Sequence, residues 1–261
     1  MFNIKKINFP ISWYLYFQFM LRNSISENLF KEMRSLVNSY PANRVCPVGR
    51  PLDGIVAFFP GGSGLLRDHD NIIPDVMVLG QDFGTFDDFS RMSSMSRSQE
   101  RKSPTWINFE SLAYQVGLSL ERCFFTNVIM GLRMIGKSTG LNLGLKDVNF
   151  KNQNIQFLKR QIELINPKIV IVLGAIPAQL ISEISNDLRI WKDFKFKKVD
   201  ENRKAQIRIV RLKDGSQGFT CVVIVHPSFR NFHVKRRKYK NYEGNCAEVQ
   251  LLKEAIKALI P

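Results

Sequence analysis

The chain has 261 residues, enough for one large α/β domain with a complete core, and its 44% hydrophobic and 23% charged content excludes wholesale disorder. Lys+Arg 38 against Asp+Glu 23 leaves a formal charge of +15, which points to a polyanionic partner, nucleic acid before an anionic membrane. Cys46, Cys123, Cys221 and Cys246 stand far apart with no CxxC pair, so zinc and iron–sulfur spacings are excluded and free thiols in a reducing cytoplasm are expected.

Residues 1 to 20 place Lys5 and Lys6 before an aromatic run. Pro10, Ser12, Gln18 and the lack of a small-residue cleavage site argue against a signal peptide, and the run is too short and too polar to span a bilayer. The expectation is an N-terminal arm over residues 1–74 that packs on a domain formed by 75–261. Within the arm, Glu27 to Val37 reads as a helix. Gly61-Gly-Ser-Gly64 reads as a flexible loop, because no strand leads into it and no Gly-Lys-Ser/Thr follows, as a phosphate loop requires.

From residue 76 onward, four runs have the Val/Ile/Leu/Phe density of strands buried on both faces: Val76–Leu79, Cys123–Val128, Ile169–Leu173 and Cys221–Val225. Helical patterns lie between them. Ser103-Pro104 is an N-cap followed by proline, opening a helix through Trp106, Phe109, Leu112 and Val116. Gln153 to Ile165 is a second helix, stopped by Asn166-Pro167, and Ala178 to Leu188 a third. Asn245 and Glu248 resemble a capping box opening a final helix. Asp87–Lys102 and Gly131–Lys146 read as long loops, which at the end of a parallel sheet are binding elements. The alternation predicts a three-layer α/β/α sandwich around a four-stranded, mainly parallel sheet.

Charge is uneven. Residues 189–213 carry Arg189, Lys192, Lys195, Lys197, Lys198, Arg203, Lys204, Arg208, Arg211 and Lys213 against Asp193, Asp200 and Glu201. A second cluster, Arg230 and Lys235-Arg236-Arg237-Lys238-Tyr239-Lys240, contains no acid.

Open parallel sheets bind ligands beyond the carboxyl ends of their strands, so the residues there are the candidates. The first run ends in Gly80-Gln81-Asp82, the second carries Asn127, the third ends in Gly174, and the fourth runs into His226-Pro227-Ser228. An acid, an amide and an imidazole thus meet at one edge. Taken singly, each has a structural reading: a helix cap, a loop-linking amide, a half-buried histidine.

Gly80-Gln81-Asp82, Thr126-Asn127-Val128, Pro167 to Gly174 and His226-Pro227-Ser228 resemble, in order, the signature blocks of the uracil-DNA glycosylase superfamily. The similarity spans about residues 74–240. It implies a base pocket at the strand ends, with Asp82 positioning water and stabilising the sugar cation, and His226 donating to a base oxygen. Asn127 would read the Watson–Crick edge of a pyrimidine, and Gln81, Phe83 and Gly84 would complete the pocket. Phe86 or Phe89 would stack on the base. Phe229 or Arg230 would fill the gap left by the flipped nucleotide. Ser228, Lys235, Arg236, Arg237 and Lys238 would contact the DNA. Glycine at position 84 stands where the best-known uracil-specific branch has a tyrosine that blocks C5, so a pocket more open at C5 is expected. The implied partner is duplex or single-stranded DNA, with no cofactor, metal or membrane and a monomeric, cytoplasmic protein. Rival readings are a defence enzyme excising a modified cytosine from phage DNA, a non-catalytic DNA-binding module, and a nuclease using Asp87 and Asp88.

Overall fold

The computed structural model of the chain describes residues 26–49, 57–66, 74–213 and 218–259, so of the arm expected over residues 1–74 the stretches 1–25, 50–56 and 67–73 lie outside them. Helix α1 spans residues 26–36 and sends Leu29 and Met33, with Val37 just beyond it, into the main core. In chain order there follow β1 (Val45–Pro47), β2 (Val76–Gly80), α2 (Phe86–Ser93), α3 (Arg97–Glu100), α4 (Pro104–Val116) and β3 (Cys123–Asn127). Next come β4 (Gly131–Arg133), α5 (Val148–Ile165), β5 (Ile169–Leu173), α6 (Ala175–Ile181), α7 (Phe196–Glu201) and β6 (Gln206–Val210). The chain closes with β7 (Phe219–Ile224), α8 (Arg230–His233), β8 (Lys238–Tyr239), β9 (Tyr242–Glu243) and α9 (Gly244–Ile256).

The main sheet has the order β3-β2-β5-β7-β6. Its first four strands are parallel and coincide with the four apolar runs. All four are buried along their whole length, as strands covered on both faces must be. The steps from β2 to β3 and from β3 to β5 run in opposite directions along the sheet. Right-handed crossovers therefore place α4 and α5 on opposite faces. Helix α9 packs beside α4, and α6 packs beside α5, completing the two outer layers.

Several local expectations need correction. A fifth strand, β6, adds antiparallel to β7 at the edge, where the register shifts between Ile207 and Val210 and the intervening Ile209 takes a positive φ and so breaks the alternation of faces. Asp87–Lys102 is mostly helical rather than loop, because Thr85 caps α2 by accepting from the Asp88 backbone N–H at 3.2 Å. The helix expected from Gln153 begins earlier, at Val148, where the Asp147 carboxylate accepts from the Phe150 N–H at 2.8 Å. Ala178–Leu188 divides into α6 and a 3-10 turn over Asn186–Trp191. The Gly61–Gly64 segment is packed rather than loose: Phe59 is fully buried and hydrogen-bonds alongside β3, with Phe59 N donating to Phe125 O at 2.9 Å and Phe125 N to Gly64 O at 2.7 Å. A Cβ on Gly64 would collide with the Phe124 ring. Ser103 caps α4 as expected, and Gly117 ends that helix in the left-handed conformation. Cys46, Cys123, Cys221 and Cys246 are free thiols. No described helix is long and apolar enough to cross a membrane.

Candidate active site

Because β2, β3, β5 and β7 are parallel, Asp82, Asn127, Gly174 and His226 emerge at the same edge. The turn after β2 is held by the chain leaving β3, with Val128 N donating to Gly80 O at 3.0 Å and Ile129 N to Gln81 O at 2.8 Å. Asp82 enters a dense polar lattice here. Its Oδ1 accepts from Gly84 N at 2.9 Å. Its Oδ2 accepts from Arg133 Nε at 3.0 Å, Arg133 Nη2 at 2.8 Å and Asn142 Nδ2 at 2.9 Å. The side chains of Asp82 and Arg133 are 3% and 4% exposed. Arg133 also donates to the carbonyls of Lys137 (2.6 Å), Thr139 (3.0 Å) and Gly140 (2.8 Å), so all five guanidinium N–H groups are used. Gln81 Nε2 donates to the same Gly140 carbonyl at 2.9 Å. The carboxylate is thereby aimed with Oδ2 saturated, while Oδ1 keeps acceptor capacity beyond its bond to Gly84.

Asn127 closes β3 and is 4% exposed. Its backbone oxygen accepts from Gln161 Nε2 at 3.5 Å, and Gln161 also accepts from the Thr126 hydroxyl at 2.5 Å. The Asn127 side-chain amide has no hydrogen-bond partner among the described residues. It lies against Gly80, where any Cβ would strike its Oδ1. Its donor and acceptor are thus free to pair with a ligand edge that offers the matching acceptor and donor.

His226 follows β7. Its Nδ1 accepts from Ser228 N at 3.3 Å and lies 2.8 Å from Ser228 Oγ, so in the neutral ring the proton sits on Nε2. Burial pushes its pKa down to about 4, which keeps it neutral near pH 7. Asn108 Nδ2 donates to Pro227 O at 2.8 Å and ties the turn to α4. Ser228, expected at the DNA, is partly exposed and also orients His226 through these contacts.

Two further expectations are corrected downstream of this turn. Arg230 is buried and paired with Glu248, with a further bond to Asn245 Oδ1 at 2.6 Å, so it cannot fill a gap in DNA. Arg237 is buried too. It makes a double bond pair with Asp200 (2.9 and 3.0 Å), pairs with Glu248 and stacks over Phe196 at 4.5 Å. Asn245 and Glu248 are therefore occupied by arginines, and Glu248 Oε1 also accepts from Val225 N at 2.7 Å, so they do not form a capping box. Lys235, Arg236 and Lys238 remain at the surface, the last paired with Glu243 at 2.9 Å. Phe229 leans on His226, ring centres 5.9 Å apart, while Phe232 projects with 69% exposure.

On the opposite flank, Phe83 is buried against Val48 and Leu132, so its ring is not free to stack on a base, and it meets the half-buried Phe89 edge-on at 5.3 Å. Phe86 is half exposed and keeps that possibility. Gly84 has φ +79, a conformation that disfavours any side chain, and a Cβ there would lie 3.3 Å from Ser138 Cβ. Space beside Gly84 is thus occupied by the loop that Arg133 holds. The Asp88 carboxylate accepts from Ser138 and Thr85, bonds that hold its pKa below the usual value, and it pairs with Arg91 at 2.8 Å.

Arg133 and Asn142 were not singled out from sequence, although both lie in the polar segment read as a binding loop. The only available signal was an arginine following two residues that are buried in the fold. A family model described as the Uracil DNA glycosylase superfamily matches residues 70–249, and the chain belongs to that superfamily. No curated protein matches the chain.

Proposed function

We propose that this protein is a DNA glycosylase that hydrolyses the N-glycosidic bond of a pyrimidine flipped out of DNA and leaves an abasic site. What supports this reading is the combination at one sheet edge: an oriented carboxylate after β2, an unpartnered amide closing β3 and a neutral imidazole with an Nε2–H after β7. As the C1′–N bond breaks, its electron pair leaves with the base, and the sugar becomes cationic. His226 Nε2–H donates to the base oxygen where negative charge builds, and Asp82 faces the sugar. A water held at Oδ1 of Asp82 adds its oxygen to C1′ and its proton passes to the departing base. Asn127 pairs with the pyrimidine edge, and either orientation of its amide is compatible with the absence of a fixed partner.

Flipping costs a few kcal/mol. In this reading the exposed Phe232 and Phe229 fill the vacated stack, and Lys235 and Arg236 take phosphates.

The test is incubation with duplexes carrying uracil, mismatched thymine or C5-modified cytosines in chelator, followed by alkali and a sequencing gel. Strand breaks at one of these bases are expected. Binding without any abasic product would make the protein a binding module, and a strict magnesium requirement would favour the nuclease. Cleavage restricted to modified cytosine would favour the defence role.

A further inference from the structure

The basic segment 189–213 has no part in the site above, yet all ten of its Lys and Arg residues are exposed, against two exposed carboxylates, Asp193 and Glu201. Its third acid, Asp200, is buried and consumed by Arg237. That pair joins two clusters far apart in sequence. Arg237 belongs to the stretch following the His226 turn, and Asp200 belongs to α7, which packs on β8. Asp200 Oδ2 also accepts from Lys238 N at 3.0 Å. Past α7 the chain runs directly into β6, which pairs with β7 at the sheet edge. A buried, fully bonded arginine thus ties α7 to the Val223 carbonyl of β7 and to Glu248 of α9, close by the turn that carries His226.

We propose that residues 189–213 and 235–240 form one basic face that binds the phosphate backbone of duplex DNA on one side of the flipped nucleotide, extending the footprint from the His226 turn to the β6 edge. The inference rests on the DNA reading above. The complementarity is one of charge: cations this dense repel one another unless a polyanion lies across them. Arg237 acts within it as a positioning residue, not as a contact.

The experiment compares wild type with the variant Lys195→Ala, Lys198→Ala, Lys204→Ala, Arg208→Ala and with a charge-preserving variant exchanging Lys and Arg at the same positions. Binding is measured on a long duplex lacking any target base, as a function of salt. Base release is measured on a short oligonucleotide covering the target and its nearest neighbours. The alanine variant is expected to bind the long duplex about tenfold or more weakly near physiological salt, with the log–log salt slope reduced by about 3 to 4. Its activity on the short oligonucleotide and the behaviour of the charge-preserving variant should match wild type. An unchanged slope overturns the proposal. So does an equal loss in the charge-preserving variant, or a defect confined to binding of anionic phospholipid vesicles. Because the binding arm needs no base release, a protein without glycosylase activity leaves this face testable by itself.

Discussion

Replacing Arg133 by alanine is the perturbation with the largest consequence worked from the structure. The side chain carries two bonds to Asp82 and three to loop carbonyls, and both charges are almost wholly buried. Removing one member of a buried ion pair leaves the other charge uncompensated, at a cost of about 3–5 kcal/mol. For a domain of this size each kcal/mol lowers the melting temperature by about 2–4 °C, so a fall of roughly 6–20 °C is expected. The cost falls on the Asp82 carboxylate, so Asp82→Asn introduced into Arg133→Ala should recover part of the loss, and a double-mutant cycle of thermal unfolding measures the coupling. Base release by Arg133→Ala should fall as well, because Asp82 loses its aim and the loop beside Gly84 loses its tether. A melting temperature within about 2 °C of wild type, or a double variant no more stable than Arg133→Ala, would refute the assignment of Arg133 as the partner that fixes Asp82.

Two other outcomes follow from named contacts. His226 stays neutral in the fold down to about pH 4, whereas the unfolded chain takes the proton near 6.5. Stability from this group is therefore full above about pH 6.5 and declines as pH falls towards 4. His226→Gln should flatten that part of the urea-unfolding profile, and an identical profile in the variant would place the pH dependence elsewhere. Gly84→Ala should destabilise by about 1–2 kcal/mol, since φ +79 is strained for alanine and the new methyl meets Ser138. A shift in the relative rates on uracil and C5-substituted bases would tie this loop to base choice, and unchanged ratios would separate it from the pocket.

The parallel core was legible because strands covered on both faces must be apolar throughout, and Val76–Leu79 or Ile169–Leu173 fit no other role. The candidate residues were legible for a related reason: a polar side chain directly after such a run has nowhere to go but the sheet edge. Edge strand β6 escaped because Arg208 and the exposed Ile209 give it no buried face to announce. Arg230 and Arg237 escaped because sequence shows charge but not its partner. Their acids, Asp200 and Glu248, lie up to 37 residues away in the chain, so a run of cations read throughout as DNA contacts although two of its members are structural. The Asp82–Arg133 pair spans 51 residues and was hidden in the same way. Gly84 invited a reading by absence of a tyrosine, and only the backbone revealed that Ser138 occupies the space beside it.

The central claim, that Asp82 drives base release at this sheet edge, is tested most directly by single-turnover excision with Asp82→Asn on the best substrate of the wild-type protein. Asparagine keeps the shape while removing the charge that faces the sugar cation, but its NH2 must meet one of the donors that the carboxylate accepts from, so a thermal melt accompanies the assay to establish that the variant is folded. A fall of at least about a hundredfold in the rate is expected, with DNA affinity unchanged. Turnover equal to wild type in a folded, DNA-binding Asp82→Asn protein would place the chemistry elsewhere and contradict the account.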